Sequence, residues 1–73
     1  MEFGRIVFSV DEYMKKRNIS RNSLSRNAQI TYKQVLNLCD NKVERIDLYV
    51  LARVCTALGC KLEDIMTFTP NQK

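Results

Sequence analysis

Residues 19–42 read ISRNSLSRNAQITYKQVLNLCDNK and carry the strongest structural signal in the chain. Ser20 is a good helix N-cap, because its hydroxyl can accept a hydrogen bond from a free N–H of the first turn. Thr31 opens the pattern T-x-x-Q with Gln34, which is typical of a capping box and predicts a second helix start. The stretch therefore predicts a helix, a short turn at residues 28–30 and a second helix.

Basic residues are concentrated in the same part of the chain. Residues 13–39 contain no Asp or Glu, and the chain as a whole has a net charge of +4. The basic side chains of this run are Lys15, Lys16, Arg17, Arg21, Arg26 and Lys33. A two-helix element that is free of acid and rich in base favours a polyanion as the partner, and DNA is the first to consider. The alternative is an ordinary solvated surface on which charges cluster by chance.

Apolar spacing predicts three further helices. One follows Ser9, whose S-x-x-E pattern with Glu12 predicts a capping box, and extends to about Arg17. A longer one begins after Asp47 and ends at Gly59. Its predicted buried face consists of Leu48, Leu51, Ala52, Cys55 and Leu58. A short last helix covers about residues 62–66.

Extended segments flank these helices. Residues 6–8 and residues 67–70 are β-prone and could pair as strands, within one chain or across a dimer. The 73 residues make one domain, 1–73, close to the lower size limit for a self-sufficient core. Dimerisation, which would bury more apolar surface, is therefore expected, and the flanking strands with the last helix are the predicted dimer surface.

Several functional classes are disfavoured by composition. The chain has no histidine and three cysteines without a C-x-x-C pair, so we expect no metal site and no disulfide framework. Cys55 and Cys60 are interpreted as small buried hydrophobes in a reducing compartment. The two glycines, Gly4 and Gly59, make no phosphate-binding loop, so no cofactor and no enzymatic activity are expected. Without a membrane-spanning run or signal peptide, the predicted location is cytoplasmic.

Two strings resemble the Cro/CI-type (XRE-like) helix-turn-helix family. They are residues 19–42, quoted above, and L-x-x-L-A-x-x-C-x-A-L-G-C-x-L-E-D-I at residues 48–65. The resemblance implies an all-α, compact five-helix, lambda-repressor-like DNA-binding domain, with its motif at about 20–42 and terminal segments able to pair as β-strands. Two positions depart from the family pattern. Gln29 occupies the turn glycine, which usually takes positive φ, and Cys39 replaces an acidic residue.

The same resemblance implies roles for individual side chains. In this family the third helix enters the major groove and the second crosses the backbone. Lys33 could donate to guanine, Asn37 could pair with adenine and Tyr32 could pack on a thymine methyl or reach a phosphate, with Gln34 at the margin. The residues expected near phosphates are Ser20, Arg21, Thr31, Asn41 and Lys42. Ser20 and Thr31 would cap their helices with or without DNA.

The function that follows is sequence-specific recognition of double-stranded DNA by a transcriptional regulator. We expect a repressor that binds a pseudo-palindromic operator as a homodimer. The alternative is a protein-binding helix-turn-helix module, such as an antitoxin or a phage-encoded inhibitor. Gln29 in the turn and Leu36, which lies one step off the buried face of the third helix, fit that alternative better than they fit DNA.

Overall fold

Five helices and two short strands make up the protein, in a computed structural model that describes residues 3–71. Their order is β1 (Arg5–Phe8), α1 (Val10–Lys16), α2 (Arg21–Ala28), α3 (Tyr32–Cys39), α4 (Leu48–Leu58), α5 (Leu62–Ile65) and β2 (Met66–Thr69). The predicted five-helix architecture is confirmed. Within the described range, none of the helices is both long enough and apolar enough to cross a membrane.

The core draws apolar side chains from all five helices, from the turn before α3 and from β1. Its members are Phe8, Val10, Met14, Leu24, Ala28, Ile30, Val35, Leu38, Leu51, Val54, Leu58 and Ile65. The residues predicted to be buried in the helix-turn-helix, Leu24, Ile30, Val35 and Leu38, are all among them. Because α2 and α3 each contribute to one shared core, their relative orientation is fixed by packing.

Helices α1 to α4 all end in the same backbone motif. A residue in the left-handed conformation follows each helix, and these residues are Asn18, Gln29, Asn41 and Gly59. In each case the next N–H donates to the carbonyl five residues earlier, as Ile19 does to Met14 at 2.9 Å. This is the Schellman motif, which satisfies carbonyls that a helix end would otherwise leave free. The predicted endings at Asn18 and Gly59 are confirmed.

Two of the three predicted serine and threonine caps form. Ser20 accepts a hydrogen bond from the Ser23 N–H at 3.0 Å, and Thr31 forms its capping box with Gln34. The cap predicted at Ser9 is wrong. Its N–H donates to the Ile65 carbonyl at 2.8 Å and its hydroxyl donates to the Asp64 carbonyl at 3.2 Å. Those bonds to α5 hold Ser9 away from the extended backbone that a cap requires.

The buried face of α4 differs from the predicted one. Leu51, Val54 and Leu58 are buried, whereas Leu48 is 77% exposed, Ala52 is exposed and Cys55 is only half-buried. The helix is turned so that its 51–54–58 side faces the core. Spacing alone allowed either stripe, because apolar residues cover most of this helix and its packing against α2 selects one of them.

The two strands pair with each other as an antiparallel ribbon within one chain. Ile6 lies opposite Phe68, and Phe8 lies opposite Met66. These four side chains share one face of the ribbon, because residues two apart in a strand point the same way. The core covers Phe8 at one end of that face, while Ile6 and Phe68 remain 51% and 59% exposed. The ribbon therefore carries an uncovered apolar face beyond the core.

Candidate nucleic-acid interface

The start of α2 presents a cap and a restrained arginine. Ser20 caps the helix, and Arg21 follows it as a half-buried side chain. The Arg21 Nη2 atom lies 3.5 Å from Asp11 Oδ1, and Lys15 Nζ lies 3.0 Å from Asp11 Oδ2. The hydrogen bond from Lys15 holds the pKa of the Asp11 carboxyl below its usual value, and Arg21 adds to this effect. Arg21 is thus held against α1 by an ionised partner.

The start of α3 is held by reciprocal hydrogen bonds. The Thr31 N–H donates to Gln34 Oε1 at 2.9 Å, and the Gln34 N–H donates to Thr31 Oγ1 at 3.1 Å. The Gln34 side chain is therefore engaged in the cap. Tyr32 is exposed beside this cap. The first turn of α3 contains no acidic residue, so nothing on it opposes the approach of an anion.

Lys33 and Asn37 lie on the outer side of α3. They are four residues apart and therefore neighbours on the helix surface, on the side opposite the buried Val35. Lys33 is exposed and Asn37 is half-buried. The helix end brings a third polar residue beside them, because the Lys42 N–H donates to the Asn37 carbonyl at 2.9 Å. Asn37 and Lys42 also line one groove.

Asn41 has its side chain turned toward the ribbon. Its Oδ1 accepts a hydrogen bond from the Phe8 N–H at 2.6 Å, and its Nδ2 donates to the Phe8 carbonyl at 2.9 Å. The carboxamide thus binds both peptide groups of one β1 residue. This contact joins the end of α3 to β1, and the expected place of Asn41 near a phosphate stays a prediction.

A groove separates α3 from the loop that precedes α4. It encloses about 170 Å³ and is lined by Gln34, Asn37, Leu38, Lys42, Val43, Glu44, Arg45, Ile46, Asp47 and Val50. Sequence reasoning missed Arg45, an exposed base of this loop. The signal that could have found it is its distance of three residues from Lys42. Arg45 and Lys42 line this groove together with two acidic residues, Glu44 and Asp47.

The turn between α2 and α3 adopts the conformation expected of the motif although it lacks glycine. Gln29 has φ of 55° and ψ of 47°, in the left-handed region. The hydroxyl of Ser25 donates to the Ile30 carbonyl at 2.6 Å and so reinforces the turn. The left-handed conformation costs a residue with a Cβ roughly 1–2 kcal/mol. The packing of the buried Ile30 and the hydrogen bonds of the turn offset that cost.

Two other basic residues of the acid-free run contact side chains of α1. Lys15 pairs with Asp11, as described, and the Arg17 guanidinium lies 3.7 Å from the centre of the Tyr13 ring. The cysteine at the end of α3 is uncharged near neutral pH, because burial raises the pKa of Cys39, against a smaller opposing effect of Arg21. The excess of basic residues therefore lies on α2 and α3, since the loop after α3 carries Asp40, Glu44 and Asp47 besides Lys42 and Arg45.

Comparison with known proteins places this arrangement in a family context. The family model for the Cro/C1-type HTH DNA-binding domain matches residues 9–71. An uncharacterised HTH-type transcriptional regulator, YozG of Bacillus subtilis (strain 168), is 30% identical over 67 residues, which are 92% of this chain and 80% of YozG. The crystal structure of the transcriptional regulator VanUg superposes with a TM-score of 0.75 at 21% identity, covering 97% of this chain and 93% of VanUg.

Proposed function

Because the chain belongs to the Cro/C1-type helix-turn-helix DNA-binding family, we propose that it is a transcriptional regulator that binds a specific sequence of double-stranded DNA. The observation that carries this proposal is the outer side of α3, where Lys33 and Asn37 stand together on a helix whose opposite side is buried. A helix that packs on the core through one side in this way can present its opposite side to the major groove. The proposed activity is binding and not catalysis, and a single domain of residues 1–73 carries it. A cytoplasmic location is consistent with this activity.

Base readout is assigned to three side chains of α3. Lys33 donates to guanine O6 and N7, and Asn37 pairs with adenine N6 and N7. The exposed ring of Tyr32 reaches a thymine methyl or a phosphate at the edge of the same site. Gln34 keeps its place in the cap and supports the first turn, so its contribution to base readout is secondary.

Phosphate contacts are assigned to the helix starts and to the loop after α3. Ser20, Arg21 and Thr31 stand at two helix N-termini, where free N–H groups and the helix dipole favour an anion. Lys42 and Arg45 line the groove together with Asn37. These contacts position the domain on the duplex without reading sequence. Asn41 is given a positioning role through Phe8.

A homodimer is proposed because one short helix reads only a few base pairs. Two copies related by a two-fold axis would read half-sites about 34 Å apart on a pseudo-palindromic operator. The uncovered face of the ribbon, with Ile6 opposite Phe68 and the exposed Leu62 on α5, supplies apolar surface for a second copy. Repression is the proposed outcome, since it requires only that the dimer occupy its operator.

Selection from random duplex DNA tests the proposal most directly. The full chain should enrich a short sequence present twice, in inverted orientation, with centres about one helical turn apart. Affinity for the selected site should fall steeply with salt, as expected when several phosphate contacts release counterions. Failure to enrich any sequence at low salt would refute sequence-specific binding, and enrichment of a single unrepeated site would refute the dimer alone.

One observation favours a second function, the binding of a protein partner. Leu48 and Tyr49 are 77% and 79% exposed side by side at the start of α4, and the Leu36 side chain on α3 is only half-buried. Adjacent apolar side chains of this kind are typical of protein-binding surfaces. An antitoxin or a phage-encoded inhibitor would bind its partner with a shallow dependence on salt, whereas DNA binding gives a steep one.

A further inference from the structure

The end of α4 brings two cysteines together. Gly59 has φ of 63°, its N–H donates to the Thr56 carbonyl at 3.2 Å, and the Cys60 N–H donates to the Cys55 carbonyl at 3.1 Å. In a Schellman motif the side chains of the two residues joined by this outer hydrogen bond, here Cys55 and Cys60, frequently contact each other as an apolar pair. At this helix end both side chains are thiols. Their backbones are one hydrogen bond apart, which is compatible with the Cα separation of roughly 4–7 Å that disulfides tolerate.

Both thiols are free and only half-buried, so a small oxidant in solution can reach them. Burial and the neighbouring Cys55 thiol together raise the pKa of Cys60 to about 11. The Cys60 thiol therefore keeps its proton at neutral pH and is a poor first nucleophile, because the thiolate is the reactive form. The third cysteine, Cys39, lies on α3 beside Arg21 and takes no part in this pair.

We propose that Cys55 and Cys60 are an oxidation site that closes to an intramolecular disulfide across the end of α4 when hydrogen peroxide is present. The Cys55 sulfur attacks one peroxide oxygen, the O–O bond breaks, and sulfenic acid and one water are formed. The Cys60 sulfur then attacks the sulfenic sulfur, and the S–S bond replaces the S–O bond. The departing hydroxyl takes the Cys60 proton as a second water. Two thiols are oxidised and one peroxide is reduced to two waters.

The bond would join α4 to the segment that leads into α5 and β2. Residue 61 is the N-cap of α5, whose last residue, Ile65, is in the core and is followed directly by β2. A covalent link between residues 55 and 60 removes freedom from the unfolded chain at this connection. The oxidised protein should therefore melt at a higher temperature than the reduced protein.

Tryptic mapping gives a direct test, because cleavage after Arg53 and Lys61 releases residues 54–61 with both cysteines and no other. The native full chain is treated with hydrogen peroxide, alkylated without reductant and digested. We expect peptide 54–61 to lose two hydrogen atoms and to resist alkylation, while Cys39 in peptide 34–42 remains alkylated. A doubly alkylated 54–61 peptide, or a cross-link from it to peptide 34–42, would overturn the proposal.

Three variants test the order of the steps. The Cys39→Ser variant should form the bond like the parent chain, and the Cys55→Ser variant should not form it. The Cys60→Ser variant should accumulate sulfenic acid on Cys55, detected as a dimedone adduct of peptide 54–61, since the second sulfur is missing. Equal dimedone labelling of Cys60 in the Cys55→Ser variant would contradict the assigned order. A melting temperature that does not change on oxidation of the Cys39→Ser variant would contradict the link between α4 and α5.

Discussion

The carboxamide of Asn41 hydrogen-bonds both peptide groups of Phe8, which lies 33 positions earlier in the sequence. Asn41 is also the left-handed residue that ends α3. One side chain thus joins the end of the helix proposed to read DNA to the strand whose apolar face is proposed to meet a second copy. We therefore expect the proposed dimer contact and the orientation of α3 to be connected through this side chain.

Replacing Asn41 by glycine tests how much that contact contributes to the free energy of unfolding. Glycine keeps the left-handed backbone but removes two partly buried hydrogen bonds, so we expect a loss of about 1–3 kcal/mol in the free energy of unfolding, measured with urea. Asn18→Gly is the matched control, because Asn18 has the same role at the end of α1. It should be neutral or gain up to about 1 kcal/mol. Equal effects of the two substitutions would show that the Phe8 contact contributes nothing.

The turn residue Gln29 is predicted to limit stability. Gln29→Gly should raise the free energy of unfolding by about 1 kcal/mol, because glycine tolerates positive φ, less a few tenths for the freer unfolded chain. Gln29→Val should lower it, since a β-branched residue fits the left-handed region poorly. Thermal melts of the three proteins measure both effects. If the valine variant is as stable as the parent, the turn does not hold the backbone at the observed φ.

The ion pairs of Asp11 predict a pH dependence. Its pKa is lowered in the folded state, mainly by the hydrogen bond from Lys15, so its stabilising contribution is complete above the usual value of 3.8. That contribution is lost as the pH falls through the lower folded value. Asp11→Asn should therefore unfold at lower urea than the parent chain near pH 7, and the two midpoints should converge near pH 2. Glu12→Gln, an exposed acid of the same helix, should show a smaller difference near neutral pH.

Alanine substitutions of Lys33 and Lys42 are expected to weaken DNA binding in different ways. Lys33→Ala should cost about 1–3 kcal/mol at one base pair of the selected site and relax preference there. Lys42→Ala should weaken binding to all DNA sequences alike and reduce the slope of log affinity against log salt by about 1. Titrations of specific and random duplexes at several salt concentrations separate these results. Arg53→Ala, an exposed base on α4 outside the groove, is the control and should leave both quantities unchanged.

The ribbon face is expected to control self-association. Phe68→Ser should weaken the dimer at least about tenfold, because burying one large apolar side chain contributes about 1.5–3 kcal/mol. Sedimentation equilibrium at micromolar protein measures the change. Tyr49→Ser removes an aromatic side chain that is also well exposed, and it should leave association unchanged. A dimer sensitive to Tyr49 and indifferent to Phe68 would move the interface from the ribbon to the start of α4.

Features of the motif that depend on one turn of chain were predictable from the sequence. The caps at Ser20 and Thr31 and the endings at Asn18 and Gly59 all formed as expected. Each depends on hydrogen bonds between residues no more than five apart, and the residue types at those positions favour the required dihedral angles. The proximity of Cys55 and Cys60 is equally local, because the left-handed Gly59 that ends α4 brings the two residues together.

The sequence by itself therefore determined where the helices begin and end, the core of the helix-turn-helix and the outer residues of α3. Tertiary structure alone decided which stripe of α4 is buried, why Ser9 bonds to α5 instead of capping α1, and where the Asn41 side chain points. These features join residues far apart in the chain. They are selected by the packing of whole elements, because a local pattern leaves several faces and several hydrogen-bond partners equally acceptable.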